Sequence, residues 1–203
     1  MTRHRFVHGS LFAILLLAYP PLWASDYVID TQEAHAFIQF KIPHLGYSWL
    51  LGRFNDFQGH FSYDPKHPER ASVEVVVQTA SLDSNHAERD KHLRGRKYLD
   101  VRHYPEARFV STSYHETADG SGELQGQLTL KGVTRPITIT TRQIGAGMDP
   151  WGGYRRGFEG HTQLRLADFG IDTRSLGPAS ELLELGLYVE GIRANKPARR
   201  PKH

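Results

Sequence analysis

Strict alternation of apolar and polar residues is the pattern that most constrains this chain. Leu183, Leu185, Leu187 and Val189 alternate with Glu184, Gly186, Tyr188 and Glu190, a period of two that only a half-buried strand satisfies. Ala36, Ile38, Phe40 and Ile42 oppose His35, Phe37, Gln39 and Lys41, and Val73, Val75 and Val77 oppose Glu74, Val76 and Gln78. The pattern recurs with Leu124, Leu128 and Leu130 inward, with Ile137 and Ile139, and with Thr162, Leu164 and Leu166. Tyr27 to Ile29, Gly52 to Tyr63 and Arg108 to Tyr114 bring the expectation to eight or nine strands, mostly in consecutive hairpins. The run from Lys131 to Pro136 reads as a hairpin loop marked by its Gly and Pro. So many antiparallel strands make a sandwich or a closed barrel. The strands are long and the inward faces carry no charge, which favours a barrel whose interior is packed or holds one small ligand.

One segment departs from the alternation. In SNHAERDKHLRGRKYL, Ser84 to Leu99, Asn85 and Glu88 have capping-box spacing and Gly95 stands where a helix would stop. A short helix between strands is expected, with Leu93 and Leu99 as its apolar contacts.

The ends of the chain read differently from its body. Residues 1–24 have Arg3 and Arg5, an apolar run from Leu11 to Ala18 and a small residue at Ala24, the layout of a cleaved secretory signal. That run is shorter than the ~20 residues a bilayer span requires, so the expectation is an exported chain located in the periplasm. Residues 25–192 form one domain, and residues 193–203 form a basic tail expected to be disordered. Setting aside Arg3, Arg5 and the four Lys and Arg from Lys196 onward leaves 19 basic against 22 acidic side chains. No basic face for nucleic acid follows. With zero Cys, neither disulfides nor thiol chemistry is available.

Catalytic patterns are absent. His86 and His92 are six apart, about 240° around a helix, and HAERDKH is not the HExxH of zinc hydrolases. No metal site is expected, and Ser121 in DGSGE reads as a turn rather than a nucleophile elbow. The aromatic concentration is more specific. Tyr47 and Trp49 follow a turn at Pro43, His44, Leu45 and Gly46, and are open to reading as a core plug or as ligand contacts. A second cluster, Asp149 to Tyr154, reads as a loop whose Trp151 either packs over a barrel mouth or simply folds back.

Several segments resemble the YceI family of exported, lipocalin-like proteins: HAFIQFKIPHLGYSWLLGRF at 35–54, NHAERDKHLRGRKYLD at 85–100 with Tyr104 and Pro105, LTLKGVTRPI at 128–137, DPWGG at 149–153, and DFGIDT with LGPAS within 168–180. The likeness runs from Asp26 to Gly191, and the arginine-rich tail is extra. It implies an all-β fold, an extended eight-stranded antiparallel lipocalin-like barrel with one short helix between strands. It also implies an apolar tunnel for a polyisoprenoid or an isoprenoid quinone, and supplies no catalytic set.

The expected function is therefore that of a periplasmic, non-enzymatic carrier of a long isoprenoid lipid, with no cofactor required for catalysis. Strand parity assigns the tail to Phe40, Ile42, Leu45, Trp49 and Phe54, and to Val75, Leu128, Leu164, Leu185 and Leu187. His44, Tyr47, His86 and Arg89 are expected near a mouth. Two alternatives stay open. One is an enzyme or cofactor protein acting on a quinone-like head group, with Asp90 or His92 converging with Arg89; the other is a stress-response interaction module with a packed interior. A homodimer through edge strands and a membrane-surface contact through the tail also stay open.

Overall fold

The structure, a computed structural model, describes residues 25–33, 35–117 and 119–194. The expected signal and the tail from Asn195 onward lie outside the described residues.

Alternating residues become eleven strand segments: β1 (Ser25–Ile29), β2 (Phe37–His44), β3 (Ser48–Phe54), β4 (Phe57–Tyr63), β5 (Ser72–Gln78), β6 (Leu82–Asp83), β7 (Glu106–Glu116), β8 (Ser121–Leu130), β9 (Val133–Met148), β10 (Tyr154–Arg165) and β11 (Leu182–Arg193). They make eight staves. β1 and β2 lie along one edge of β11, β4 and β3 pair with them in turn, and β5 and β6 continue outward from β4 and β3. β7, β8, β9, β10 and β11 then follow as a meander. Because β11 pairs with β10 on one side and with β1 and β2 on the other, the sheet closes into an eight-stranded antiparallel barrel. Closure leaves no long edge to aggregate.

Three staves are broken along their length, one of them inside the single strand expected from Gly52 to Tyr63. The stretch from Gly52 to Tyr63 bends at Asn55 and Asp56, beside the turn at Thr79–Ser81: Gln78 donates its N–H to Asp56 O (2.9 Å) and Asn55 to Ser81 O (3.2 Å). The third break, between β1 and β2, is held by charge. Arg155 donates Nη1 to Asp30 (2.6 Å) and Glu190 (2.5 Å) and Nε to Asp149 (2.7 Å), and His35 reaches Asp30 at 3.1 Å. Burial alone would raise the Asp30 carboxyl, but the Arg155 and His35 hydrogen bonds outweigh it and hold it below the usual carboxylate range.

Two turn expectations need correction. The β8–β9 loop is only Lys131 and Gly132, both in the left-handed region. Pro136 sits within β9, opposite Gln127 of β8 and beyond the last β9–β10 pair, Thr140 with His161. Its missing N–H therefore breaks no ladder. The helix α1 (Ala87–Arg94) is capped by the His86 ring, which accepts from Arg89 N–H, rather than by Asn85, which takes a left-handed φ of 60°. Gly95 ends it, donating to His92 O.

Candidate functional site

The inward residues do not fill the barrel. A cavity of about 910 Å³ runs between the inner faces of β2, β3, β8, β10 and β11, under α1 and the connection after β10. A smaller chamber of about 180 Å³ continues toward the other end. The two share Ile38, Val77, Ala107, Leu128 and Leu185 as lining, so the chambers lie end to end along the barrel with these side chains as the waist between them. The expected alternative of a packed interior does not hold among the described residues.

At one end this pair of chambers meets solvent. Its rim carries the exposed side chains of His86, Glu88, Lys91, His92 and Arg96. At the other end stacked rings close it: Tyr27 on Phe61 at 4.7 Å, with Phe158 edge-on to Phe61 (5.7 Å) and Tyr63 (5.5 Å). Beyond those rings the interior is polar, contrary to an uncharged lining throughout. Arg156, buried, donates Nη1 to Gln143 (2.5 Å) and lies 4.4 Å from the Tyr63 ring centroid. Tyr63 and Tyr114 both donate their hydroxyls to Glu116, at 2.8 and 3.0 Å. Burial pushes both phenols up, Tyr114 to about 12, and the Glu116 carboxylate adds to the rise.

The structure places the sequence-assigned residues unevenly. Phe40, Ile42, Phe54, Leu128, Leu164 and Leu185 line the large chamber, while Val75 and Leu187 line the small one. His86 and Arg89 stand at the open rim. Leu45, Trp49, His44 and Tyr47 line neither chamber and are exposed. The reason is register: Ile42 pairs with Leu50 and Phe40 with Gly52, so even-numbered residues of β3 face inward and Trp49 faces out. Trp151 is also exposed, beneath the Arg155 guanidinium at 5.6 Å rather than over an opening.

Arg89 and His92 both reach the cavity rim, whereas Asp90 does not line the cavity. Asp90 is buried and accepts from Ser84 N–H (3.0 Å) and its hydroxyl, and Arg89 Nε donates to the same hydroxyl (2.8 Å). His92 is exposed on the rim. Asp30, His35 and Glu190 bring ligand atoms within 4.8 Å of one another, yet Arg155 already bonds both carboxylates, which makes the group a salt cluster. Leu50, Leu82, Leu166, Ile171 and Leu183 also line the large chamber; parity would have found Leu50, Leu166 and Leu183 once the strand ends were known.

The model of the YceI-like domain matches residues 27–190 of the chain. The chain belongs to the YceI family. It is 56% identical over 170 residues to a UPF0312 protein of Ectopseudomonas mendocina, covering 84% of this chain and 88% of that one. It is 53% identical over 178 residues to a UPF0312 protein of Azotobacter vinelandii, covering 88% and 92%. Among solved structures, the YCEI protein of Campylobacter jejuni superposes with a TM-score of 0.68 at 25% identity, covering 76% of this chain and 91% of that chain. BcnA of Burkholderia cenocepacia matches with a TM-score of 0.71 at 18% identity, covering 80% and 98%. A domain of Saccharophagus degradans described as polyisoprenoid binding and implicated in plant cell wall breakdown matches at 0.60 and 13% identity, covering 83% and 98%. The likeness to these structures is one of fold, and among the described residues of this YceI-like domain no helix is long and apolar enough to cross a membrane.

Proposed function

We propose that this barrel binds a long isoprenoid lipid, an isoprenoid quinone among the candidates, and carries it through the periplasm without chemistry on it. The carrying observation is the pair of adjoining apolar chambers inside the barrel, about 910 Å³ in the larger. That volume lies in the upper part of the ~300–1,000 Å³ range of ligand pockets.

The physical logic favours a prenyl chain. Each buried CH₂ is worth ~0.8 kcal/mol, so a five-carbon unit moved from water into the chambers gains on the order of 4 kcal/mol. Methyl-branched hydrocarbon asks for no hydrogen bonds, and the lining of Phe, Leu, Ile and Val offers none. A polar head would stay at the rim, where His86 and Arg89 supply donors. The polyisoprenoid-binding description of the Saccharophagus domain and the secretory layout of residues 1–24 support the cargo and the compartment.

The test is lipid extraction and mass spectrometry of protein purified from the periplasm of its own host. A prenyl lipid in near-stoichiometric amount is expected; repeated preparations free of any amphiphile would sink the reading.

A further inference from the structure

Two hairpins of the barrel expose large apolar side chains: the β9–β10 hairpin, with Ile144, Met148 and Trp151, and the β2–β3 hairpin beside the large chamber. The β2–β3 hairpin tip exposes Leu45 (50%), Tyr47 (87%), Trp49 (49%) and Leu51 (64%), a concentration of large apolar side chains that a solvated turn has no use for. The opposite face of the same hairpin, Ile42 and Leu50, lines the large chamber. The tip therefore stands at the opening itself. It is tied there: Ser180 Oγ donates to Pro43 O at 2.7 Å, and Lys41 Nζ lies 4.5 Å from the Trp49 ring centroid.

Across the opening, the segment from Ala87 to Arg102 carries Arg89, Lys91, Arg94, Arg96, Lys97 and Arg102 against Glu88, Asp90 and Asp100. Asp90 is buried against Ser84. Several exposed arginines elsewhere are neutralised by carboxylates, as in Arg108–Glu74, Arg142–Glu159, Arg165–Glu181 and Arg174–Asp172. Here Arg89 and Arg94 bond the main-chain oxygens of Ser84 and Leu82, neutral partners that leave their charge in place. Amphipathic rings and cations flanking one orifice are what a lipid headgroup layer accommodates: Trp and Tyr settle at the interface, and anionic headgroups attract Lys and Arg.

We propose that the barrel docks mouth-down on an anionic phospholipid bilayer, with Tyr47, Trp49 and Leu51 entering the interface and the α1 segment contacting headgroups. The docking rests on the carrier reading only for its purpose. It is distinct from any contact through the basic tail, and places the opening against the membrane so that an apolar chain need not cross water.

Co-sedimentation with vesicles of phosphatidylglycerol and phosphatidylethanolamine, and with phosphatidylcholine vesicles, tests it on protein purified from its host. Binding to the anionic vesicles should fall about tenfold or more in Y47S/W49S/L51S, whose sites are exposed, and again in K91E/R96E/K97E. It should persist in K196S/R199S/R200S/K202S. Hairpin and α1 variants that bind like the parent, loss confined to the tail variant, or a hairpin that mediates a soluble dimer with no vesicle binding would each overturn the proposal. Mass spectrometry on the same samples keeps the two readings apart. Cargo-free protein that still sediments with anionic vesicles defeats only the carrier reading, and loaded protein that ignores them defeats only the docking.

Discussion

Phe40 and Gly52 face each other across the β2–β3 ladder, and the Phe40 ring occupies the space a side chain at 52 would need: a Cβ there would stand 2.2 Å from Phe40 Cζ. The ring covers its neighbour's bare backbone and forms part of the chamber wall at once. Gly52→Ala should therefore cost about 1–3 kcal/mol in denaturant unfolding. The same change in a Phe40→Ala background should cost close to nothing. An additive pair would show that the ring is not what excludes a side chain there.

The waist between the chambers can be blocked. Ala107 is a small buried residue shared by both. Ala107→Trp should reduce the lipid recovered per protein while the far-UV circular dichroism of the barrel is kept, because the ring is received by a hollow rather than a packed core. Unchanged lipid content would mean that the cargo does not pass the waist.

Alkaline stability should reveal the phenols at the closed end. Tyr114 ionises at about 12 in the folded chain against 10.0 ordinarily, and Tyr63 is raised as well. Above pH ~10 the unfolded chain releases these protons and the folded chain does not. The stabilisation they contribute is thus complete below pH ~10 and is lost as pH rises toward 12. Phenolate absorbance should show late-ionising tyrosines whose transition coincides with unfolding.

At the β1–β2 break, Arg155→Met leaves the buried Asp30 carboxylate without its cation. A loss of about 3–5 kcal/mol is expected at neutral pH. Acid dependence should change too. Asp30 and Asp149 are both held low in the parent, so the stability they contribute is present above their unfolded value near 3.8 and falls away as pH drops through the lower folded value. The variant should have a shallower acid limb in urea melts across pH 2–5.

Alternation located the staves because one face of each is buried and the other is wet, as Leu183 to Glu190 illustrate. It could not register a break that keeps parity, so Asn55 and Asp56 were hidden inside one apparent strand. The hairpin tip was misjudged for a related reason. Trp49 looked inward on aromatic character, but the pairing of Ile42 with Leu50 decides its face, and pairing depends on where a turn begins. Arg156 was invisible from the other side: a charged residue reads as exposed, and a register shift between Gly157 and Phe158 separates it from the clean alternation of β10. The large chamber also owes its wall to Ile171, which follows no strand period.

Every stave of the barrel except one pair is adjacent in sequence to its neighbour, and that pair joins the first strand to the last: Tyr27 with Arg193, Val28 with Ile192, Ile29 with Gly191. Hairpins can form as the chain becomes available, but the seam that turns a curved sheet into a tube must wait for the twelve residues of β11, and closing so long a loop is the slow step. Until β11 arrives there is no interior at all. Maturation of the interior is therefore an all-or-none event timed by the docking of β11.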